Sequence, residues 1–220
     1  AMQFRLWKRM GMAVGFLPFS TVGYSLSNTS ELTKDEDGTV INKTASYAGD
    51  GGLQQVFAGV GFKVLDNLSI GANISYIYGD ITHSVTTAFS NSSSFSSVRL
   101  DKISINDYKL DFGLQYSYKF NKKHVLNFGA VYSLGHSVNG KGYKYNQKWL
   151  NGADYPSTQT GDTITNAFSL PHTFGAGLTY VYDNRLTIGA DFTYQQWEDA
   201  KFYNEKSYFS NRTKIAAGAE

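Results

Sequence analysis

Few groups in this 220-residue chain are arranged for chemistry. The run Lys34-Asp35-Glu36-Asp37-Gly38 has the residue types of a calcium loop. It lacks the spaced ligands and distal glutamate such a loop requires, so it reads as a solvated turn. His83, His124, His136 and His172 are scattered without metal-ligand spacing and fit strand-end or loop positions. The chain has no cysteine, which excludes disulfides and thiolate metal sites. No nucleophile motif, phosphate loop or paired-carboxylate constellation stands out. Neither an enzyme activity nor a cofactor is expected.

Other residues suggest work on the backbone or on a ligand. Pro18-Phe19-Ser20, with Gly23, interrupts an alternating stretch, MAVGFLPFSTVGYSLS. Proline removes a ladder hydrogen bond, so this is either a three-residue turn or a kink inside one long strand. Gly49-Asp50-Gly51-Gly52 breaks the following strand and reads as a bulge beside it. Gln195 and Trp197 close a later strand, where the indole packs at a rim or lines a pocket. Lys63, Lys109, Asp111, Lys119, Asp191 and Lys214 fall on wet faces, where they pair with one another or where one lysine meets a carboxylate.

The elements that must position these residues are strands. In YKLDFGLQYSYKF, Tyr108 to Phe120, every even position is apolar or aromatic and every odd one is polar, charged or glycine. That is period-two alternation with one greasy and one wet face. It recurs over Val56–Val64, Leu68–Tyr78, Leu126–Leu134, Phe174–Tyr182 and Leu186–Tyr194. Three connections are short: Leu65-Asp66-Asn67, Asn121-Lys122-Lys123 and Asp183-Asn184-Arg185. Long polar ones are expected near 29–39, 80–102, 136–171 and 199–211. Short turns at one end and long loops at the other is the layout of an outer-membrane barrel.

Composition agrees. Charged residues are only 17% and aromatics reach 15%, while the mean hydropathy of −0.32 looks bland. Alternation in a membrane barrel produces such an average, and there is no apolar run of transmembrane-helix length. The net charge of +2 gives no reason to expect nucleic acid. Tyrosines and phenylalanines also sort by height. Phe62, Tyr116, Tyr118, Phe120, Tyr180 and Tyr182 lie near the short turns; Tyr24, Tyr76, Tyr78, Tyr132 and Tyr194 lie toward the long loops. Two aromatic girdles around an apolar band are the membrane-interface pattern. The expected fold is therefore all-β: an antiparallel transmembrane β-barrel in the bacterial outer membrane. About eight strands are expected, near 5–28, 39–64, 68–83, 98–120, 124–138, 171–182, 186–198 and 212–220. The first and last segments read as mid-strand.

Three stretches carry a family resemblance: GFLPFSTVGYSLS at 15–27, GGLQQVFAGVGFKVLDNLSIGANISYIYGDI at 51–81, and LPHTFGAGLTYVYDNRLTIGADFTYQQWEDAKF at 170–202. With the closing RTKIAAGAE they resemble the FadL/TodX-type outer-membrane transporters of long-chain fatty acids and other hydrophobic compounds, in a Bacteroidetes-like form. The resemblance implies a fourteen-stranded barrel with an N-terminal hatch, of which residues 1–220 would be the middle eight strands. It implies passive transport with lateral exit at the kinked strand, and a gate or ligand role for Pro18, Phe19, Ser20, Gly23, Gly51, Gly52, Gln195 and Trp197. The expected partners are outer-membrane lipid and hydrophobic small molecules or fatty acids, for a protein working as a monomer. Length matching of residues 5–28 against 39–64 favours the kink over the turn. The alternative is an outer-membrane barrel with a structural or surface-binding role through its long loops. A third reading, an outer-membrane lipase, would need serine, histidine and an acid to converge at one rim.

Overall fold

The computed structural model describes residues 1–34, 37–151, 153, 158–165, 168–183, 185–201 and 209–220. Among these, all regular structure is strand: β1 (Met2–Trp7), β2 (Met10–Lys34), β3 (Val40–Lys63), β4 (Leu68–Phe89), β5 (Phe95–Lys119), β6 (His124–Ser133), β7 (His136–Val138), β8 (Gly140–Leu150), β9 (Thr158–Thr165), β10 (Phe168–Leu170), β11 (Thr173–Tyr182), β12 (Leu186–Gln195) and β13 (Arg212–Ala219). The wall runs β1-β2-β3-β4-β5-β6-β11-β12-β13, antiparallel throughout, and curls into a half-barrel. The all-β antiparallel expectation holds.

Alternation explains the wall. On β4, Ile70, Ile74, Tyr76 and Tyr78 are exposed on the outer face, while Ser75 and Ile77 are buried on the inner one. The same division holds on β5, where Tyr108, Phe112, Leu114, Tyr116 and Tyr118 face out and Ile103 and Ile105 face in. An outer face this apolar is suited to lipid, and a monomer in water rarely shows one so extensive.

Strand counts and lengths differ from the sequence reading. Residues 5–28 are not one strand: the chain turns over Lys8 and Arg9, so β1 pairs back on β2 with Met2 opposite Val14. That turn contains no glycine, proline or asparagine. It is held by Arg5, whose guanidinium donates to the Trp7 carbonyl (3.3 Å) and the Lys8 carbonyl (3.2 Å).

The expected loops at 29–39, 80–102 and 136–171 are largely strand. β2 reaches Lys34 and β4 reaches Phe89, while β5 begins at Phe95. At about 3.3 Å per residue, even tilted strands of this length stand well clear of an apolar band about 25 Å tall. The segment 136–171 holds β7 to β10. β5 forks: its lower part, Asp111–Lys119, pairs with β6, and its upper part, Phe95–Ile105, pairs with β8, which carries β9 outside it.

Pro18 does not begin a turn. β2 is continuous, and its ladder with β3 passes from Pro18↔Gln54 to Ser20↔Leu53, leaving Phe19 as the extra residue of a β-bulge. One inserted residue reverses which side chains face out. Below the bulge Phe16 lies opposite outward Val56; above it Val22 lies opposite Gly51, Tyr24 opposite Gly49 and Leu26 opposite Tyr47, all on the face of buried Leu53. Tyr24 therefore does not belong to the lipid-facing girdle. The outer face of upper β2 is instead Thr21, Ser25, Ser27 and Thr29, with Ser27 bonded to Ser46 (3.1 Å) and Thr29 to Thr44 (3.0 Å). Hydroxyls replacing hydrocarbon there mark the upper edge of the lipid zone.

Inside the curve, at the height of the bulge, lies the core. Leu53, Ile77, Ile103 and Ile105 from the wall close on Val138 of β7, which is 1% exposed, with Ile81, Ile164, Phe168 and Leu170 around them. The small β10-β7 ladder thus caps the inner face of the wall.

Candidate functional site

Below this cap the inner face is largely glycine and polar side chains, with Phe57 and Val131 among them. Gly11 lies opposite Gly61, Gly61 opposite Gly71, and Gly71 opposite Gly113, a row of glycines in register across β2 to β5. They floor a cavity of about 630 Å³ with Arg5 and Asp111 on its walls. Next to it, the Gln55 amide donates to Ser75 Oγ (2.7 Å) and Asn73 Nδ2 donates to the same oxygen (3.2 Å). Lys109 is bonded to Asp111, whose carboxylate also accepts from Ser133. The lumen level therefore carries hydrogen-bonded polar groups beside the apolar Phe57 and Val131.

The charges expected on wet faces separate into two groups. Lys109 and Asp111 pair inside the curve, while Lys63 reaches Asp66 at the short turn (3.7 Å), where Arg9 joins it (3.5 Å). No ion pair joins Lys119, Asp191 or Lys214 to a partner among the described residues. Asp35 and Glu36 of the acidic run lie outside the described residues. No group of three histidine, aspartate or glutamate side chains gathers as a metal site among the described residues.

Pro18, Phe19, Ser20, Gly23, Gly51 and Gly52 come together at the bulge. Gly23 lies opposite Asp50, and Gly52 lies between Thr21 of β2 and Asp80 of β4. Each residue of β3 from Gly49 to Gln55 has a partner on both sides here, and the irregularity is the Phe19 bulge on β2. Gly51 takes φ +109° and Gly79, one strand further on, takes φ +142°, values that only glycine adopts easily. A side chain on Gly51 would run into the Asp80 carbonyl, and one on Gly79 into the Gly52 carbonyl. The sequence reading missed Gly79, whose only signal is a glycine directly after the second of the girdle tyrosines, Tyr76 and Tyr78.

Gln195 and Trp197 sit apart from this group, at the top of β12. Trp197 Nε1 donates to Gln195 Oε1 (3.1 Å), and Gln195 reaches Thr173 (3.5 Å). The indole lies between Phe168 (6.5 Å) and Phe209 (5.6 Å), an aromatic contact that ties the rim to β10.

All the histidines pair with tyrosine. Tyr24 bonds His83 (3.0 Å), Tyr132 bonds His172 (2.8 Å), Tyr180 bonds His124 (2.5 Å), and Tyr108 stacks on His136 at 4.6 Å. His136 also faces Asp107, Nε2 to Oδ2 3.4 Å, at the β5 fork. No hydroxyl is hydrogen-bonded to that imidazole among the described residues.

The family model described as BamG matches residues 1–220. No curated protein matches the chain. The match places the chain at the bacterial outer membrane, as its lipid-suited outer face requires. It also overturns the FadL/TodX resemblance. With it fall passive transport of long-chain fatty acids and other hydrophobic compounds, lateral exit at a kinked strand, and fatty acids as partners. The fourteen-strand count rested on the same resemblance. Strands alternating glycine with apolar residues are a demand of membrane barrels in general, so they did not discriminate between families.

Proposed function

The chain belongs to the BamG family, and from that premise we propose that it is an outer-membrane wall component of the machinery that assembles outer-membrane proteins. Its task in this reading is to hold and orient protein partners of the BAM complex. The observation that carries it is the match over residues 1–220.

The geometry supports this reading in two ways. The lower wall is a lipid-embedded anchor, since its outer face is an apolar band with tyrosines at both ends. The upper wall is built to present surface, because β2 to β5 continue past the lipid zone as a paired sheet and β8 and β9 extend it sideways. A protein acting through loops alone would not need strands that rise this far. The reading assigns the chain no catalytic step.

The test is recovery of partners under mild detergent. Full-length tagged protein should co-purify stoichiometrically with BAM subunits, and its depletion should lower the amount of folded outer-membrane proteins. Recovery as a lone barrel, with normal outer-membrane protein levels after depletion, would reject the proposal.

A further inference from the structure

The four short turns, at 8–9, 63–67, 119–123 and 183–185, form one basic rim. Together they carry seven lysine and arginine side chains and two aspartates, although the whole chain has a net charge of only +2. The rest of the chain is therefore net acidic, and positive charge is concentrated at one end of the wall. All seven cations are exposed. Asp66 takes up Arg9 and Lys63, and Asp183 faces Arg185 (3.7 Å). Lys8, Lys119, Lys122 and Lys123 have no ion-pair partner among the described residues.

The rim is also held in place. Backbone hydrogen bonds tie each turn to its neighbour along the wall. Lys63 N donates to the Arg9 carbonyl (2.8 Å), Ser117 N to the Asn67 carbonyl (2.8 Å) and Asp183 N to the Lys123 carbonyl (2.7 Å). In the turn between β5 and β6, the Asn121 side chain accepts from Lys123 N (2.8 Å) and His124 N (3.0 Å), which fixes the backbone under the two lysines. The Arg9 guanidinium is fixed as well, donating to the Val64 carbonyl and to Asp66 (both 3.5 Å).

Short turns lie on the periplasmic side of an outer-membrane barrel. An exposed row of cations there attracts a negatively charged surface. Lipid phosphate carries that charge, but headgroups are mobile and meet cations in any arrangement. The order of this rim suits a folded partner instead, because groups already in place lower the cost of docking. Position points the same way. Lys122 and Lys123 stand past Tyr118 and Phe120, the girdle residues of their strand, and so beyond the apolar band.

We propose that this rim is the docking surface for an acidic face of a periplasmic subunit of the assembly machinery, with Lys8, Lys119, Lys122 and Lys123 as the cations it engages. This rests on the assembly reading and deepens it, naming the side and the charge through which the chain holds that partner.

The complex of the full-length protein, recovered in detergent without added lipid, tests it. Raising salt from about 0.05 to 0.5 M should lower recovery about tenfold, because exposed charges are screened. Recovery that does not respond to salt would overturn the proposal, whatever the variants do. Lys122→Glu combined with Lys123→Glu should lower recovery about tenfold at low salt. Lys122→Arg combined with Lys123→Arg keeps both charges and should match wild type. Equal recovery of the two double variants would overturn the proposal. A loss in the glutamate variant that appears only after anionic phospholipid is added would assign the rim to lipid and overturn it too. In each of these cases the assembly reading stands. If wild type yields no complex at any salt, both fall.

Discussion

Tyr24 and His83 are joined across an intervening strand. Tyr24 Oη lies 3.0 Å from His83 Nδ1 although β3 runs between their strands. Gly49, opposite both, makes this possible by leaving a bed for the tyrosine ring. An added Cβ at Gly49 would overlap that ring. Gly49→Ala should expel the ring and cost roughly 1–3 kcal/mol, the range for overpacking. Tyr24→Phe keeps the ring and loses only the hydroxyl bond, for roughly 0.5–1.5 kcal/mol. Urea unfolding of the detergent-folded protein should rank the variants in that order, and the reverse order would contradict the role given to Gly49.

Phe19 matters as a residue count more than as a side chain. Its presence lets one alternating pattern serve two environments: Phe16 faces out below the bulge, and Val22, Tyr24 and Leu26 face in above it. Deleting Phe19 removes the phase change. Either upper β2 then turns its apolar residues outward, or the strand slips against β3. Phe19→Ala retains the backbone residue and should fold nearly as well as wild type. The deletion should sharply reduce folded barrel, read as the heat-modifiable band on gels. A deletion that folds as well as Phe19→Ala would show that the phase is set elsewhere.

The limits of the sequence reading follow from the same two environments. Where lipid wets one face and the lumen the other, as over Tyr108–Phe120, the residues must alternate and the strand is evident. Above the lipid zone the outer face no longer meets lipid, so 80–102 and 136–171 lose the regular alternation and read as loops, although Ile81, Val138, Ile164, Phe168 and Leu170 within them join the core. They are strands all the same, because β5 continues upward and gives β8 a paired edge. Pro18 signals a break, but proline alone does not reveal whether the face reverses; that depended on the register Pro18↔Gln54 and Ser20↔Leu53. The turn at Lys8 and Arg9 has no turn residue to announce it. Family assignment failed for a related reason: glycine alternating with apolar residues records the membrane and the curvature, not the partner.

Gly51 and Gly79 should be the least replaceable glycines of the wall. Both have positive φ, and a Cβ on either would press on a neighbouring backbone carbonyl that cannot swing away. Gly129 offers a control within the same sheet, with nothing near the site of an added Cβ. Gly79→Ala should lose at least about 1–3 kcal/mol from the strained backbone alone. Gly129→Ala should be close to neutral. Thermal melting in detergent separates the two, and a stable Gly79→Ala protein would remove the strain argument.

Asp80 supplies a pH dependence whose sign can be stated. It lies two residues past Tyr78 on the outer face, above the girdle. The Ser104 hydrogen bond, and then Lys102 at 3.0 Å, hold its carboxyl below the ordinary value of 3.8. The folded protein thus favours the ionised form more than the unfolded chain does. This stabilisation is fully present above the ordinary carboxylate range and disappears as the pH falls through the lowered folded value. Half of the Asp80 side chain is exposed, so solvent screens the pair and the effect should not exceed about 1 kcal/mol. Unfolding of wild type and Asp80→Asn should therefore differ at pH 6 and converge in strong acid. Added salt should shrink the Lys102 part of the difference, because ions screen an exposed pair, and leave the Ser104 hydrogen bond largely in place. A gap between the two proteins that widens on acidification would show that the carboxylate is disfavoured at this position.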